Sequence, residues 1–413
     1  MNRKKVMLLS THDSHLGGHA WSEMQQYDKK KYDVNLVSLY SLYNDNTYSI
    51  IRSLKVYNIL NKIWKAINHL YYFKRRHNIY NDKYCFFNIN SFPVSAEMIL
   101  KKFNKGNPDV IVLHWYDGFI TPTIISELYK LTSAQFVFVF TDEYPLGGGC
   151  HYPCECEGYK YDCKNCPALL LNKRIAEKKL KEKIKLLQGI PKIIISPSAG
   201  LNKAKQAAVF RKNTDYIRYL PQVILNVKPL SLDESRAYFD ITSDSFVVMY
   251  GAMHIDEKRK GFDLFKEALK IVSKEIDEKI VVVVAGTGES LNKLSDIENV
   301  FIKHVGCLQF NDLCKLYTAS NVYVSSSIAD SGPMMVAYSI ACGTPVVAFP
   351  IGYAVDCVIH KETGYLAEFE SIQDLANGIL FFYKNRNRQL YFSDNCLRLN
   401  EKFSKHPFYG NLL

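Results

Sequence analysis

A chain of 413 residues that is 47% hydrophobic, 13% aromatic and 23% charged is too long for one hydrophobic core and too apolar for disorder, so two domains are expected. Its net charge of +11 divides into +16 over residues 1–230 and −5 over residues 231–413. The basic half suits an anionic partner such as phosphate or an acidic membrane surface, and no nucleic-acid-binding motif accompanies the charge, so nucleic acid is not expected. No apolar run approaches the ~18 residues of a membrane span. Val6 to Leu9 is too short for a signal-peptide core, so a cytoplasmic chain is expected.

In chain order, Val6 to Leu9 reads as a strand, followed by a turn-rich loop with Gly17 and Gly18 and a helix starting near Ala20. Val34 to Leu39, Asp109 to Leu113, Phe136 to Phe140 and Lys192 to Ile195 are further apolar runs of the kind found in buried parallel strands. Ser95 to Phe103 and Lys173 to Leu187 have helical spacing between them. After a weakly patterned linker, Asn226 to Thr242, the alternation resumes. Strands are expected at Ser245 to Tyr250, Lys279 to Ala285, Val322 to Ser325 and Pro345 to Ala348, and helices at Gly261 to Lys274, Gln309 to Ala319 and Pro333 to Ala341. Two successive α/β units with parallel sheets follow from this alternation.

Two local clusters stand out. Five of the 11 Cys fall between Cys150 and Cys166. Cys163 and Cys166 form a C-x-x-C knuckle, and Cys150 and Cys156 complete a tetrahedral set for structural zinc, with His151 in reserve and Cys154 left over. Buried free thiols or a local disulfide are the alternatives. Tyr57 to Arg76 repeats aliphatic and aromatic residues at helical spacing beside Lys62, Lys65, Lys74, Arg75 and Arg76. That composition suits a helix on an anionic membrane surface, or one that faces a core and keeps a wet basic side.

Several motifs together carry a resemblance. They are Gly251-Ala252 followed by Lys258-Arg259-Lys260-Gly261-Phe262-Asp263; Ala285-Gly286-Thr287-Gly288; His304-Val305-Gly306; the stretch from Ser325 through Asp330 and Tyr338 to Gly343-Thr344-Pro345; and Thr363-Gly364. In this order they resemble the signature of retaining, family 4-like glycosyltransferases of the GT-B fold. Gly17-Gly18, His114-Trp115 and Gly147-Gly148-Gly149-Cys150-His151-Tyr152 resemble the subset that builds bacterial surface polysaccharides. The implied fold is α/β, with two Rossmann-like domains whose parallel sheets face each other across a cleft. Residues 1–228 would form the acceptor-side domain with the Cys-rich loop 150–166, residues 229–395 the nucleotide-sugar donor domain, and residues 396–413 a tail returning toward the first.

The resemblance also implies roles. Lys260 would stabilise the departing diphosphate, since cationic side chains and helix N-termini suit phosphate; a solvated basic run is the plainer reading. The family's accompanying Arg is replaced by His254, which lacks the guanidinium fork, and Arg259 could supply the second charge if it turns inward. Asp330 fills the first of two acidic positions, near the donor sugar, or caps a helix. Tyr338 stands where a Glu would bind ribose, so ribose recognition weakens or moves, or Tyr338 is simply packed. His114, at the end of a strand, would lie near the anomeric carbon and the acceptor, or be a core histidine. Asp142 would orient or deprotonate an acceptor hydroxyl, or cap a turn. Gly17, Gly18, Gly286 and Gly306 would let backbone approach the donor.

The expected activity is metal-independent transfer of a sugar, with retention, from a nucleoside diphosphate donor (a UDP-sugar by default) to a hydroxyl of a lipid-linked glycan. The enzyme would be cytoplasmic and peripheral to the inner face of the cell membrane. A catalytically degenerate scaffold or glycan-binding protein on the same fold is the alternative, motivated by His254 and Tyr338.

Overall fold

The computed structural model describes residues 3–12, 19–41, 48–51, 55–63, 84, 91–170, 172–219, 231–294, 297–332, 334–405 and 408–412. Gly17, Gly18, residues 64–76 of the basic stretch and the first part of the expected linker lie outside the described residues. Two compact units emerge. The first comprises Met1–Ser196, Gly200–Tyr219 and Pro407–Leu413, and the second Pro197–Ala199 and Leu220–His406. The division thus falls at 219/220 where the sequence suggested 228, and the tail that groups with the first unit starts at 407, after the helix Gln389–Ser404.

The first unit is built on seven strands: β1 Lys4–His12, β2 Tyr32–Tyr40, β3 Ser49–Ile51, β4 Val110–Leu113, β5 Gln135–Val139, β6 Lys192–Ser196 and β7 Thr214–Arg218. Their order is β3-β2-β1-β4-β5-β6-β7, with every pairing parallel. The two-residue period of a strand sorts its side chains into two cores. Met7, Leu9, Ile111, Leu113, Phe136 and Phe138 join one; Val6, Leu8, Val110, Val112, Val137 and Val139 join the other. Helices between the strands are delimited by local chemistry. Ser95 accepts from Met98 N and Thr121 from Ile124 N, with Pro122 in the first turn, and left-handed Asn104 and Ser133 end the same two helices.

The second unit repeats the plan with six strands: β8 Phe246–His254, β9 Ile280–Thr287, β10 Val300–Gly306, β11 Val322–Ser325, β12 Val346–Ala348 and β13 Gly364–Leu366. The order is β10-β9-β8-β11-β12-β13, again parallel throughout. Both sheets therefore reverse direction of winding once, between β1 and β4 and between β8 and β11, and such switch points open a crevice outside the carboxyl ends of the strands. The expected linker needs correction. Leu232–Tyr238 is a helix with a full capping box, Ser231 with Glu234. Its buried Arg236 donates to Ala319 O at 3.2 Å, to Asn321 Oδ1 at 3.0 Å and to Ser243 O, so the segment belongs to the second core.

The terminal residues seal the first unit. Phe408 and Tyr409 pack with Tyr27, Tyr32, Val6 and Leu8, and the Tyr409 hydroxyl donates to Glu23 Oε2. Glu23 is 1% exposed. Burial pushes its carboxyl up to about 8, only partly opposed by the Tyr409 hydrogen bond. A carboxyl whose pKa is raised on folding holds its proton more tightly in the native state. Its contribution is favourable below the unfolded value and is lost as pH rises from about 4.5 to about 8. Replacing Glu23 with Gln keeps an acceptor for Tyr409 and removes the titration. Urea midpoints of wild type and Glu23→Gln should diverge between pH 5 and pH 8, the variant gaining a few kcal/mol relative to wild type (roughly 3–5 for a shift of this size). Parallel pH profiles would show that Glu23 does not carry this burden.

Candidate functional site

In the second unit the motifs converge at the β8/β11 switch point. After β8 the chain makes a turn of 3-10 helix at Lys258–Lys260 and passes through Gly261, whose φ is +67°. A Cβ there would stand 1.9 Å from the carbonyl oxygen of Ser326, in the loop after β11. Only glycine allows this approach. The two loops are then tied together. Ser326 Oγ donates to Gly261 O at 2.7 Å, Ile328 N to Arg259 O at 2.8 Å, and Tyr250 OH to Lys260 O at 2.9 Å.

This seam brings the charged side chains together. Lys260 Nζ lies 2.6 Å and Arg259 Nη1 3.0 Å from the same oxygen, Oδ2 of Asp330. Arg259 reaches Glu257 with Nη2 at 2.8 Å, while Asp330 Oδ1 accepts from Gly332 N at 3.2 Å. Arg259 therefore turns inward, as its assignment to the second charge requires. His254, at the end of β8, is exposed, with Nδ1 3.2 Å from Thr287 Oγ1. Gly286 is packed so that a Cβ would fall 1.7 Å from Ala252 O, and its carbonyl accepts from His304 Nε2 at 2.7 Å. Gly306 has a φ of +68° and open space before it. Tyr338 is half-buried, edge-on to Phe310 at 5.0 Å and packed on Met334. Burial pushes its phenol up, so it stays a neutral hydroxyl.

The first unit has a corresponding seam at its own switch point. Thr11 at the end of β1 donates its N–H to Trp115 O at 2.7 Å and its hydroxyl to Asp117 O at 2.8 Å, and His114 N donates to Leu9 O at 2.9 Å. His114 is buried, with Nε2 3.3 Å from Glu23 Oε2. Asp142, just beyond β5, is not free to act alone. It accepts from His151 Nδ1, while His151 Nε2 lies 2.9 Å from Asp117 Oδ2. Burial pulls the His151 imidazole down, but hydrogen bonds and charge from Asp117 and Asp142 outweigh it and push it up to about 9. A buried imidazolium between two carboxylates results, stacked on Trp115 at 4.9 Å.

Sequence reasoning missed Glu257, Asp117 and Glu23, and it gave His151 only the part of a reserve zinc ligand. Nothing in their spacing distinguishes them from surface charge. For His151 alone, its place beside a glycine run at the end of a strand and loop offered a hint. The four cysteines Cys150, Cys156, Cys163 and Cys166 line one cavity, and Cys154 does not.

Residues 234–397 match the family described as glycosyl transferases group 1. The capsular polysaccharide biosynthesis glycosyltransferase CapM of Staphylococcus aureus is 25% identical over 186 residues, 42% of this chain and 47% of that protein. The curated relatives are matched over 37 to 47% of their own length, so the chain spans less than half of each. Several solved structures match over nearly the whole chain. Sucrose-phosphate synthase of Thermosynechococcus elongatus superposes with a TM-score of 0.62 at 16% identity, covering 97% of this chain and 95% of its own. HepE of Anabaena in complex with UDP-glucose gives 0.60 at 14% identity, covering 99% of both chains. Those identities establish the fold alone. With the parallel β8–β13 sheet and its glycine-tied switch point, they show that the chain has the GT-B fold, of which residues 234–397 are the part that matches the glycosyl transferases group 1 model.

Proposed function

We propose that the protein is a retaining glycosyltransferase that moves a sugar from a nucleoside diphosphate, UDP by default, to a hydroxyl of a lipid-linked glycan during surface polysaccharide biosynthesis, with no metal ion in the chemistry. The observation that carries this reading is the Arg259–Asp330–Lys260 cluster on the β8/β11 switch point. Two cations stand where an anionic ligand of an open α/β sheet binds. Without a donor their charge is held by Asp330 and Glu257. With one, the diphosphate takes up the same ammonium and guanidinium, which stabilise the negative charge that develops on it as the sugar departs. Asp330, released from two cations, is then free to accept from sugar hydroxyls. Support for UDP comes from HepE, whose structure holds UDP-glucose, and for polysaccharide from CapM, whose name assigns it to capsular polysaccharide biosynthesis. His114 and Asp142, with the His151 imidazolium, would serve the acceptor.

Labelled UDP-, GDP- and TDP-sugars offered with a lipid extract, with products read by mass spectrometry, test the reading. Transfer from at least one donor is expected. Failure of every nucleoside diphosphate to bind in calorimetry would favour a scaffold on the same fold, the reading that exposed His254 and packed Tyr338 support. If transfer occurs, Lys260→Ala should lower kcat by about 10²- to 10³-fold, and Arg259→Ala should do so comparably. Unchanged turnover in both variants would remove the cluster from the chemistry.

Tyr338 decides how the ribose is held. A carboxylate can accept two vicinal hydroxyls, whereas a phenol offers one donor and a weaker acceptor. In Tyr338→Glu, nucleoside diphosphate affinity should rise about tenfold or more, the scale of a charge-assisted hydrogen bond less its desolvation. Weaker binding by a folded variant would mean that the ring's contact with Phe310 and Met334 is structural and that ribose is recognised elsewhere.

The peripheral part of the reading has its own support. Residues 55–63 are helical and expose Val56, Ile59, Leu60 and Ile63 on one face beside Lys55 and Lys62, and among the described residues no helix is long and apolar enough to cross a membrane. Co-sedimentation with vesicles rich in anionic lipid should fall steeply between 50 mM and 500 mM salt, because exposed charges are screened within about 8–10 Å at physiological ionic strength. Absence of binding at low salt overturns the membrane claim.

A further inference from the structure

We propose that Cys150, Cys156, Cys163 and Cys166 hold one structural zinc ion, with Lys183 as its buried counter-charge. The loop between β5 and the helix Arg174–Leu187 encloses a cavity of about 260 Å³ walled by these four residues. All four are free thiols. The fifth cysteine of the loop, Cys154, turns away and donates to Tyr152 O at 3.7 Å. Gly158, in the cavity wall, lies against the sulfurs: a Cβ there would stand 3.3 Å from Cys156 Sγ and 3.7 Å from Cys163 Sγ.

Charge supplies an independent argument. Lys183 is 5% exposed, and its ammonium donates to Tyr144 O at 2.9 Å and Gly147 O at 2.7 Å. It is satisfied by carbonyls, not by a carboxylate. A buried cation calls for a compensating anion, and zinc bound by four thiolates carries a net charge of −2 beside it. Among the described residues no three Cys, His, Asp or Glu side chains already stand at metal-ligand separations. The sulfurs must therefore close on the ion, which calls for changes of χ1 rotamer. Four thiolates leave zinc no open position for water, so the ion would fix the loop. That loop carries His151 to Asp117 and Asp142. The proposal stands independently of the transferase reading.

Protein purified without chelators should contain about one zinc per chain by elemental analysis. Cys163→Ser and Cys166→Ser should lose it, whereas Cys154→Ser should keep it. Cobalt(II) added to zinc-free protein should give the intense thiolate-to-cobalt charge-transfer absorption of a tetrahedral sulfur site, discharged by zinc. Should the serine variants fail to fold, wild type alone decides: removing zinc should make four additional thiols reactive toward a disulfide reagent. Metal-free protein without a cobalt band, a mass 2 Da low from a disulfide, or zinc loss from Cys154→Ser equal to that from Cys163→Ser would each overturn the assignment.

Discussion

One oxygen atom of Asp330 accepts from both Arg259 and Lys260, and the second unit's candidate site depends on that shared contact. The three residues come from loops after two different strands, so they meet only because β8 and β11 are neighbours in the sheet. Their loops in turn can approach only because Gly261 has no side chain. The charge count is balanced within the cluster: two cations face Asp330 and Glu257. The shared carboxylate holds the Lys260 ammonium and the Arg259 guanidinium side by side.

The first unit uses the same topological position differently. Its switch-point loops are held by Thr11, and the charge inside is one imidazolium between Asp117 and Asp142. Two carboxylates around one cation leave a local excess of negative charge. This arrangement does not attract phosphate. Trp115 and Tyr144 pack their rings on the His151 imidazole, at 4.9 Å and 5.1 Å. Exposed Lys55 and Lys62, on the helical residues 55–63, contribute to the basic excess of this half of the chain.

How far the sequence could be read follows from the kind of information each feature needs. Strands and helices obeyed local periodicity, so β4, β5, β6, β8, β9 and β11 fall where apolar runs put them, and the glycine motifs marked the ends of strands. Leu232–Tyr238 reads as linker because its apolar face is short and its anchor is Arg236, a charged residue whose burial depends on partners at 243, 319 and 321. Asp330 and Lys260 were legible because they lie within motifs. Glu257, Asp117 and Glu23 were not, because an acidic residue announces a site only through the cation or histidine that the fold sets against it. Arg259 was ambiguous for the same reason: a guanidinium in a basic run has two directions to turn, and Asp330, 71 residues away, decides between them.

The Glu23, His114 and Tyr409 contacts connect this local chemistry to the end of the chain. Tyr409 donates to the oxygen of Glu23 that lies 3.3 Å from His114 Nε2. The Tyr409 hydrogen bond lowers the Glu23 pKa but is outweighed by burial, which raises it to about 8. Residues 408–412 are held by two aromatic side chains in the core and one hydrogen bond to a buried carboxyl. The polar contact at Glu23 adds to the apolar burial of Phe408 and Tyr409, so the packing of this segment is coupled to the protonation of the buried Glu23 carboxyl.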